Sequence, residues 1–390
     1  MNRLTTIRPS QVGQLNERQV LRMLQAHGPL SRAEVARKSG LSAPTVSKAV
    51  SSLLKAGLLE EAAAAEPARG RPAPTLRLAS ESAQVLGVVV DAGHCEVVSA
   101  GLDGVLHDQV DTVPTVGSYH QLLAALEAAC RARMARKGVT TLGLGLTLPG
   151  LTDYRRGAGV LSPNVPVTDG HTPGIDLGER LGLDCVLLQE SHSLCLAERH
   201  YGLAMGLDDF ALLDVGSGIG LGVMSSGRIL KGHSGLAGEL GHMTAVVDNG
   251  RLCGCGNRGC LETVASDAAL AYRVSRRLGR TLTIDEVLEL IHSGRAPIAK
   301  ELLENARYLA VGVAAVINLY NPSTVFIHSR LFDAAPDLFD RLVEFVRERA
   351  LPPTFADCKI LRGKGQKRQG AVAGVVQHLT NAVVPGLEHL

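Results

Sequence analysis

The sequence predicts a two-part chain: a small helical module with a wing over residues 1–80, then an α/β body over residues 81–390. Three observations carry this. Between Asn16 and Lys55, apolar residues recur at helical spacing around a single glycine turn at Gly40. From Val85 onward, short apolar strand-like runs alternate with helical stretches. Charge is also uneven: the first 72 residues hold eight arginines and three lysines against five glutamates, in a chain whose net charge is only +2. A basic module on a mildly acidic body points to a polyanion partner for the first part alone.

Within the module, Val20, Leu21, Met23 and Leu24 mark a helix over Asn16–Ala26 that His27-Gly28-Pro29 ends. Ser31-Arg32-Ala33-Glu34 matches a capping box that opens a second helix to Ser39. Gly40 supplies the turn. Ser42 then caps a third helix to about Lys55, with Pro44 in its first turn and Val46, Val50, Leu53 and Leu54 facing inward. Helix, glycine turn, helix is the helix-turn-helix pattern, in which the second helix of the pair presents its N-terminal residues to base edges in the major groove. The candidate DNA contacts are therefore Ser42, Ala43, Thr45, Ser47 and Lys48. The small hydroxyls can reach bases and thymine methyls, and Lys48 suits a phosphate or a guanine. Leu58-Leu59-Glu60 and Leu76-Arg77-Leu78 read as the strands of a wing. The stretch between them ends Arg69-Gly70-Arg71-Pro72, and Arg69 and Arg71 on extended backbone suit a narrow minor groove. The same stretch also reads as an interdomain linker.

Bulk properties narrow the class. Hydrophobic residues make up 45% and charged ones 20%, as in a globular chain with a substantial core. No stretch approaches the roughly 20 uninterrupted apolar residues of a membrane span. Arg3 and Arg8 are followed by no apolar core, so the expectation is a cytoplasmic protein without a signal peptide. Cys95, Cys130, Cys185, Cys195 and Cys358 are scattered and are expected as buried thiols.

In the body, strands are expected at Val85–Val90, Glu96–Ala100, Leu142–Leu148, Cys185–Leu188 and Phe210–Val215, with a helix over Leu122–Met134. A glycine-rich turn, Gly216–Gly222, follows the last strand. Cys253, Cys255 and Cys260, with His242 eleven positions before the first, give four ligands within a short segment. Such a set suits tetrahedral zinc, with roughly 2.3 Å to sulfur and 2.0–2.1 Å to nitrogen, and leaves no open position. One structural zinc per chain is expected. Gly254, Gly256 and Gly259 let the backbone fold around the ion, whereas a Cys253–Cys255 disulfide would close a strained ring. Glu239 and His242 lie three apart, and Glu262 lies two past the last cysteine. Carboxylates and imidazoles of this kind grip sugar hydroxyls, and a histidine shared between metal and hydroxyl would join the two sites.

Gly235-Leu236-Ala237-Gly238-Glu239-Leu240-Gly241-His242 and Cys253-Gly254-Cys255-Gly256-Asn257-Arg258-Gly259-Cys260-Leu261-Glu262 resemble the ROK family (repressors, open reading frames and kinases), and the resemblance extends along residues 81–390. It implies an α/β, actin-like (ribonuclease H-like) two-lobed sugar-kinase fold. Residues 81–195 and 371–390 would form the small lobe, and residues 196–370 the large lobe with the zinc site and an oligomerisation surface. The N-terminal winged helix-turn-helix is similar to that of ROK repressors. By the same resemblance, Glu239, His242, Glu262, Asn164 and Glu190 fall on sugar-contacting positions.

Three positions depart from the kinase pattern. The acid-x-Gly-Gly-Thr turn reads Asp91-Ala92-Gly93-His94-Cys95, which puts a side chain where backbone must approach a phosphate. The Asn-Asp pair with the catalytic base reads Gln189-Glu190, each one methylene longer. That moves the head groups by roughly an ångström, a displacement that can cost on the order of a hundredfold in rate. His328-Ser329 stands where kinases carry a glycine pair. The expected protein is a homodimeric or homotetrameric repressor of carbohydrate-metabolism genes. It would bind double-stranded operator DNA and a sugar or sugar-derived effector, without kinase activity and without a membrane. The alternatives are an ATP-dependent sugar kinase with a DNA-binding arm, and a dimerisation scaffold governed by a protein partner.

Overall fold

The computed structural model describes residues 9–62, 74–115, 117–294 and 297–382. The chain divides into two compact units, one of Met1–Thr147, Thr172–Leu187 and Ala371–Leu390, the other of Leu148–His171 and Leu188–Gly370. Residues 148–171 and 188–195, placed with the small lobe on sequence grounds, belong to the second unit. The reason is local packing: a Cβ on Gly254 would touch Pro163, and one on Gly235 would clash with Tyr154.

In the first unit the N-terminal module forms helices Pro9–His27, Arg32–Ser39 and Ala43–Lys55 and a small sheet of Leu30–Ser31, Thr75–Leu78 and Leu59–Ala62, with Thr75–Leu78 in the middle. The Ser31–Glu34 capping box closes in both directions, and Gly40 adopts φ 71° at the turn. Ser42 caps the third helix through the Thr45 amide. Val20, Leu21, Val35, Val46, Val50 and Leu53 are buried together with Leu58, Leu59, Leu76 and Leu78. The first helix begins at Pro9 rather than Asn16. Val12 and Leu15 on that added stretch are 46% and 39% exposed, so no inward apolar period announced it.

Within the first unit, the module packs directly against the residues that follow it. Its core continues into Ala79, Ala83 and Leu102. Leu58 O accepts from Ala79 N at 3.1 Å, and Ala79 O accepts from Leu102 N at 2.8 Å. Glu60 clamps the junction: its carboxylate accepts from Ser82 Oγ at 2.6 Å, Ser82 N at 3.0 Å and Glu81 N at 3.3 Å, and it pairs with Arg77 at 2.8 Å. Burial alone would raise its pKa, but these hydrogen bonds win and bring it down to about 2. A depressed carboxylate gives stability that is present above its unfolded value near 4.5 and is lost as pH falls toward about 2. Glu60→Gln is therefore expected to flatten the acid limb of the stability profile between those pH values, read by urea melts at successive pH. An unchanged acid limb would show that the clamp carries none of it.

The remaining sheet of the first unit orders its strands Cys185–Gln189, Thr140–Leu148, Ala83–Val89, His94–Ala100, Asp111–Pro114. In the second unit the order is Arg228–Ile229, Ile219–Ser225, Phe210–Val215, Thr324–His328, Lys359–Arg362. The two sheets have the same topology. In each, the first strand pairs antiparallel with the second and parallel with the fourth. The helix Ala299–Tyr320 is long and apolar enough by composition to cross a membrane. Its Ala306, Leu309, Ala310, Val313, Val316 and Ile317 are instead buried in the core of the second unit.

Candidate functional site: a histidine–cysteine cluster beside two carboxylates

The site lies in the second unit and is built from short-range turns. After the strand Ile219–Ser225, Gly238 takes φ 101° with Leu221 O only 2.1 Å from where a Cβ would sit, so no side chain fits there. This close approach turns the chain into the short 3₁₀ helix Leu240–His242, with Glu239 at its start. The following loop folds back on itself: Cys253 N donates to Asn257 O at 2.8 Å and Gly259 N to Arg251 O at 2.9 Å. Gly259 also takes a left-handed conformation, φ 75°, against Val246 O.

This folding brings His242, Cys253, Cys255 and Cys260 together, with all four ligand atoms within 4.8 Å of one another. Cys255 Sγ and Cys260 Sγ are 3.8 Å apart, and Cys253 Sγ lies 3.5 Å from His242 Nδ1. A tetrahedron with bonds of roughly 2.3 Å to sulfur and 2.0–2.1 Å to nitrogen places two sulfurs about 3.8 Å apart and a sulfur–nitrogen pair about 3.5 Å apart. The group can hold a metal ion. His242 presents Nδ1 to the sulfurs and Nε2 to Glu239 Oε2 at 3.7 Å. Glu262 Oε1 lies 2.9 Å from Cys253 Sγ and 3.7 Å from His242 Nδ1.

The other candidate residues are distributed as follows. Glu239 accepts from Gln189 Nε2 at 2.9 Å. Burial holds the Glu239 pKa above its ordinary value and Glu262 adds to this, while Gln189 and His242 pull it back. Glu262 reaches the glycine-rich turn, where a Cβ on Gly218 would meet its Oε2 at 3.0 Å. Asn164 donates to Ser217 Oγ on that turn at 3.1 Å. His242 thus lies 3.7 Å from both Glu239 and Glu262, while Asn164 and Glu262 meet the same glycine-rich turn at neighbouring residues, Ser217 and Gly218. Glu190 is held elsewhere in the same unit. Its carboxylate pairs with Lys367 Nζ at 2.6 Å, which also lies 3.9 Å from Asp214, and Asp214 takes His328 Nδ1 at 2.8 Å. Of the lengthened pair, it is Gln189 that joins the carboxylate cluster.

Sequence reasoning missed Tyr154, His192 and Lys367. The Gln189 N–H donates to Tyr154 Oη at 2.8 Å, so the tyrosine proton is directed to His192 Nδ1 at 2.6 Å. His192 is neutral, its pKa pushed to about 4 by burial and by Lys231. No local pattern flags these residues, because their partners lie 35 to 177 positions away.

In the DNA-binding module, Ser42, Ala43, Ser47 and Lys48 are exposed on the first turns of Ala43–Lys55 and Thr45 is half-buried. Ser42 Oγ and Thr45 Oγ1 lie 2.8 Å apart. Arg69 and Arg71 lie outside the described residues.

A winged helix-turn-helix ahead of a twice-repeated α/β sheet, with a metal-competent loop beside paired carboxylates, defines a DNA-binding regulator built on a sugar-kinase-type body. The chain belongs to the ROK family, whose model matches residues 88–379, and a winged helix-turn-helix DNA-binding model matches residues 15–60. Among curated relatives, the chain is 29% identical over 396 residues to an Escherichia coli protein, covering 97% of this chain and 96% of that one. It is named N-acetylglucosamine repressor in strain O6:H1 and DNA-binding transcriptional dual regulator NagC in strain K12. A crystal structure of a ROK family transcriptional regulator, a homologue of the E. coli MLC protein, matches with TM-score 0.82 and 26% identity over 96% of this chain and 98% of its own. A ROK hexokinase from Thermus thermophilus matches with TM-score 0.65 and 28% identity over 76% of this chain and 98% of its own.

Proposed function

We propose that the chain is a transcriptional repressor of carbohydrate-metabolism genes whose second unit binds a sugar or sugar-derived effector beside a structural zinc and does not phosphorylate it. The observation that carries the reading is the pairing of two features. One is the exposed, correctly capped N-terminus of the helix Ala43–Lys55. The other is the Asn164–Glu262–His242–Glu239 surface, whose acceptors and donors match the hydroxyls of a sugar. Zinc is the metal that suits three thiolates and one imidazole at these separations. Held by His242, Cys253, Cys255 and Cys260, it would fix the His242 ring so that Nε2 points at the effector. Two copies of the chain, or four, would read half-sites about one helical turn apart, with Ser42, Ala43, Thr45, Ser47 and Lys48 in the major groove and Arg69 and Arg71 in the minor groove.

Loss of kinase activity is supported by what surrounds the three departures. Glu190, on the position of the catalytic base, is already engaged by Lys367. Cys95, on the threonine position, is fully buried against Thr115. His328 is tied to Asp214, and Ser329 caps the Leu331 amide. Incubating the zinc-loaded protein with ATP and a panel of sugars is expected to release no ADP above background. Sugar-dependent ADP release would instead establish the kinase reading. Once a sugar that binds has been found, Glu239→Gln should weaken it on the order of tenfold to a hundredfold by calorimetry, the value of a lost hydrogen bond to a charged group at about 1.5–3 kcal/mol. Unchanged affinity would remove Glu239 from the site.

A further inference from the structure

A hollow of about 580 Å³ opens on the first unit, and none of its lining residues belongs to the sites above. Its volume falls within the range of small-molecule pockets, roughly 300–1,000 Å³. It is lined by Gln84, Ser99, Leu106, His107, Arg133 and Arg136, among others.

Two of these side chains are buried with unmet hydrogen-bonding capacity. Gln84 is fully buried and donates Nε2 to Arg133 O and Thr141 Oγ1, each at 3.0 Å, yet its Oε1 has no partner among the described residues. The Arg133 side chain is 6% exposed. Its Nε pairs with Asp111 at 2.5 Å, while Nη2 has no partner among the described residues. A buried polar group left unmet is destabilising, so a partner for it is favoured. Both unmet atoms lie just beneath the lining with almost no exposed area, so a ligand reaches them only with a small shift of the exposed wall, and it would then supply a donor to Gln84 Oε1 and an acceptor to Arg133 Nη2.

The rest of the lining is consistent with an anion. Arg136 Nη1 contacts His107 Nε2 at 3.2 Å, and His107 Nδ1 lies 2.8 Å from Ser99 Oγ. A guanidinium can only donate, so His107 is neutral and its Nδ1–H donates to the serine. Of the three nearby acids, Asp111 is already committed to Arg133, Asp108 stands at the exposed rim, and Asp103 accepts from Val105 N at 3.1 Å. The pocket abuts the end of the helix Tyr119–Met134, whose carbonyls would repel an anion, but Gln84 has already taken up the Arg133 carbonyl. Ala132, Ala135 and Leu106 supply the apolar wall.

We propose that this hollow binds a small hydroxylated anion, a phosphorylated or carboxylated polyol, with its anionic head on Arg136 and Arg133 Nη2 and a hydroxyl donating to Gln84 Oε1. The test is calorimetric titration of the full-length protein with glycerol 3-phosphate and with glycerate, and with inorganic phosphate as the headgroup alone. Saturable binding of at least one polyol is expected at one site per chain, with inorganic phosphate at least tenfold weaker. Arg136→Gln, an exposed position, should weaken the polyol at least tenfold, Arg136→Lys should recover part of that loss, and Glu239→Gln should leave it unchanged. Which of the two polyols binds more tightly identifies the headgroup. The proposal is overturned if neither polyol saturates, if inorganic phosphate binds as well as the polyols, or if Arg136→Gln binds like the parent chain. Abolition by Glu239→Gln would place the anion in the second unit and overturn it as well.

Discussion

Cys260→Ser is expected to reduce bound zinc from one per chain to near zero and to lower the melting temperature of the second unit by about 6–12 °C. The magnitude corresponds to roughly 3 kcal/mol in a unit of this size. Cys260 is fully buried at the end of the loop, and its sulfur lies 3.8 Å from Cys255 Sγ. A serine hydroxyl is a poor zinc ligand, so the loop would lose the tie at its centre while its backbone hydrogen bonds, such as Ala245 N to Gly259 O at 2.8 Å, remain. The damage should reach Glu262, which lies two residues on and opens the helix Glu262–Ala265 in the surface proposed for the effector. Metal analysis and calorimetry on the same samples check this. A variant that kept its zinc and its melting temperature would remove Cys260 from the ligand set.

The second large effect is expected at the recognition helix. Lys48 is exposed and Thr45 half-exposed, and neither contributes to the buried core of Val46, Ala49, Val50 and Leu53. Replacing both by alanine should therefore leave the fold intact. A good base contact is worth about 1–3 kcal/mol, so operator affinity should fall on the order of fivefold to a hundredfold from that term alone, with the lost Lys48 phosphate contact adding to it. The two contributions can be separated. Lys48→Ala should weaken binding to all sequences and reduce the salt slope by about one, while Thr45→Ala should relax discrimination at particular base pairs. Binding curves at several salt concentrations check both. Equal affinity of the double variant and the parent chain would move the recognition surface elsewhere.

What was legible in the sequence is what local chemistry decides. The Ser31–Glu34 capping box, the Gly40 turn and the Ser42 cap depend on residues within a few positions of one another, and all three formed. The strand Phe210–Val215 was bounded by its own apolar run and the glycines after it. The His242–Cys260 cluster was legible for the same reason, since a nineteen-residue loop with glycines at its tight points can fold only a few ways. Pairings across long stretches of chain were not legible. The lengthened Gln189-Glu190 pair implied displaced head groups, but only the structure shows its two members parting, one to Glu239 and one to Lys367. Nothing near Glu60 foretold that it would cap the Ser80–Ser82 turn, which fixes the module to the rest of the first unit. The wing strands were found, with Leu59–Ala62 beginning one residue late because Leu58 turns its amide back to Leu53 O.

A repressor that responds to sugar requires effector binding in the second unit to be coupled to DNA binding by the first. The most direct test is fluorescence anisotropy of the zinc-loaded protein on the DNA upstream of its own gene, titrated with a panel of sugars and sugar phosphates. One of them is expected to release the DNA and, by reciprocity, operator DNA is expected to weaken that sugar's binding by the same factor. Tight DNA binding that no sugar alters would contradict the sugar switch and favour control by a protein partner.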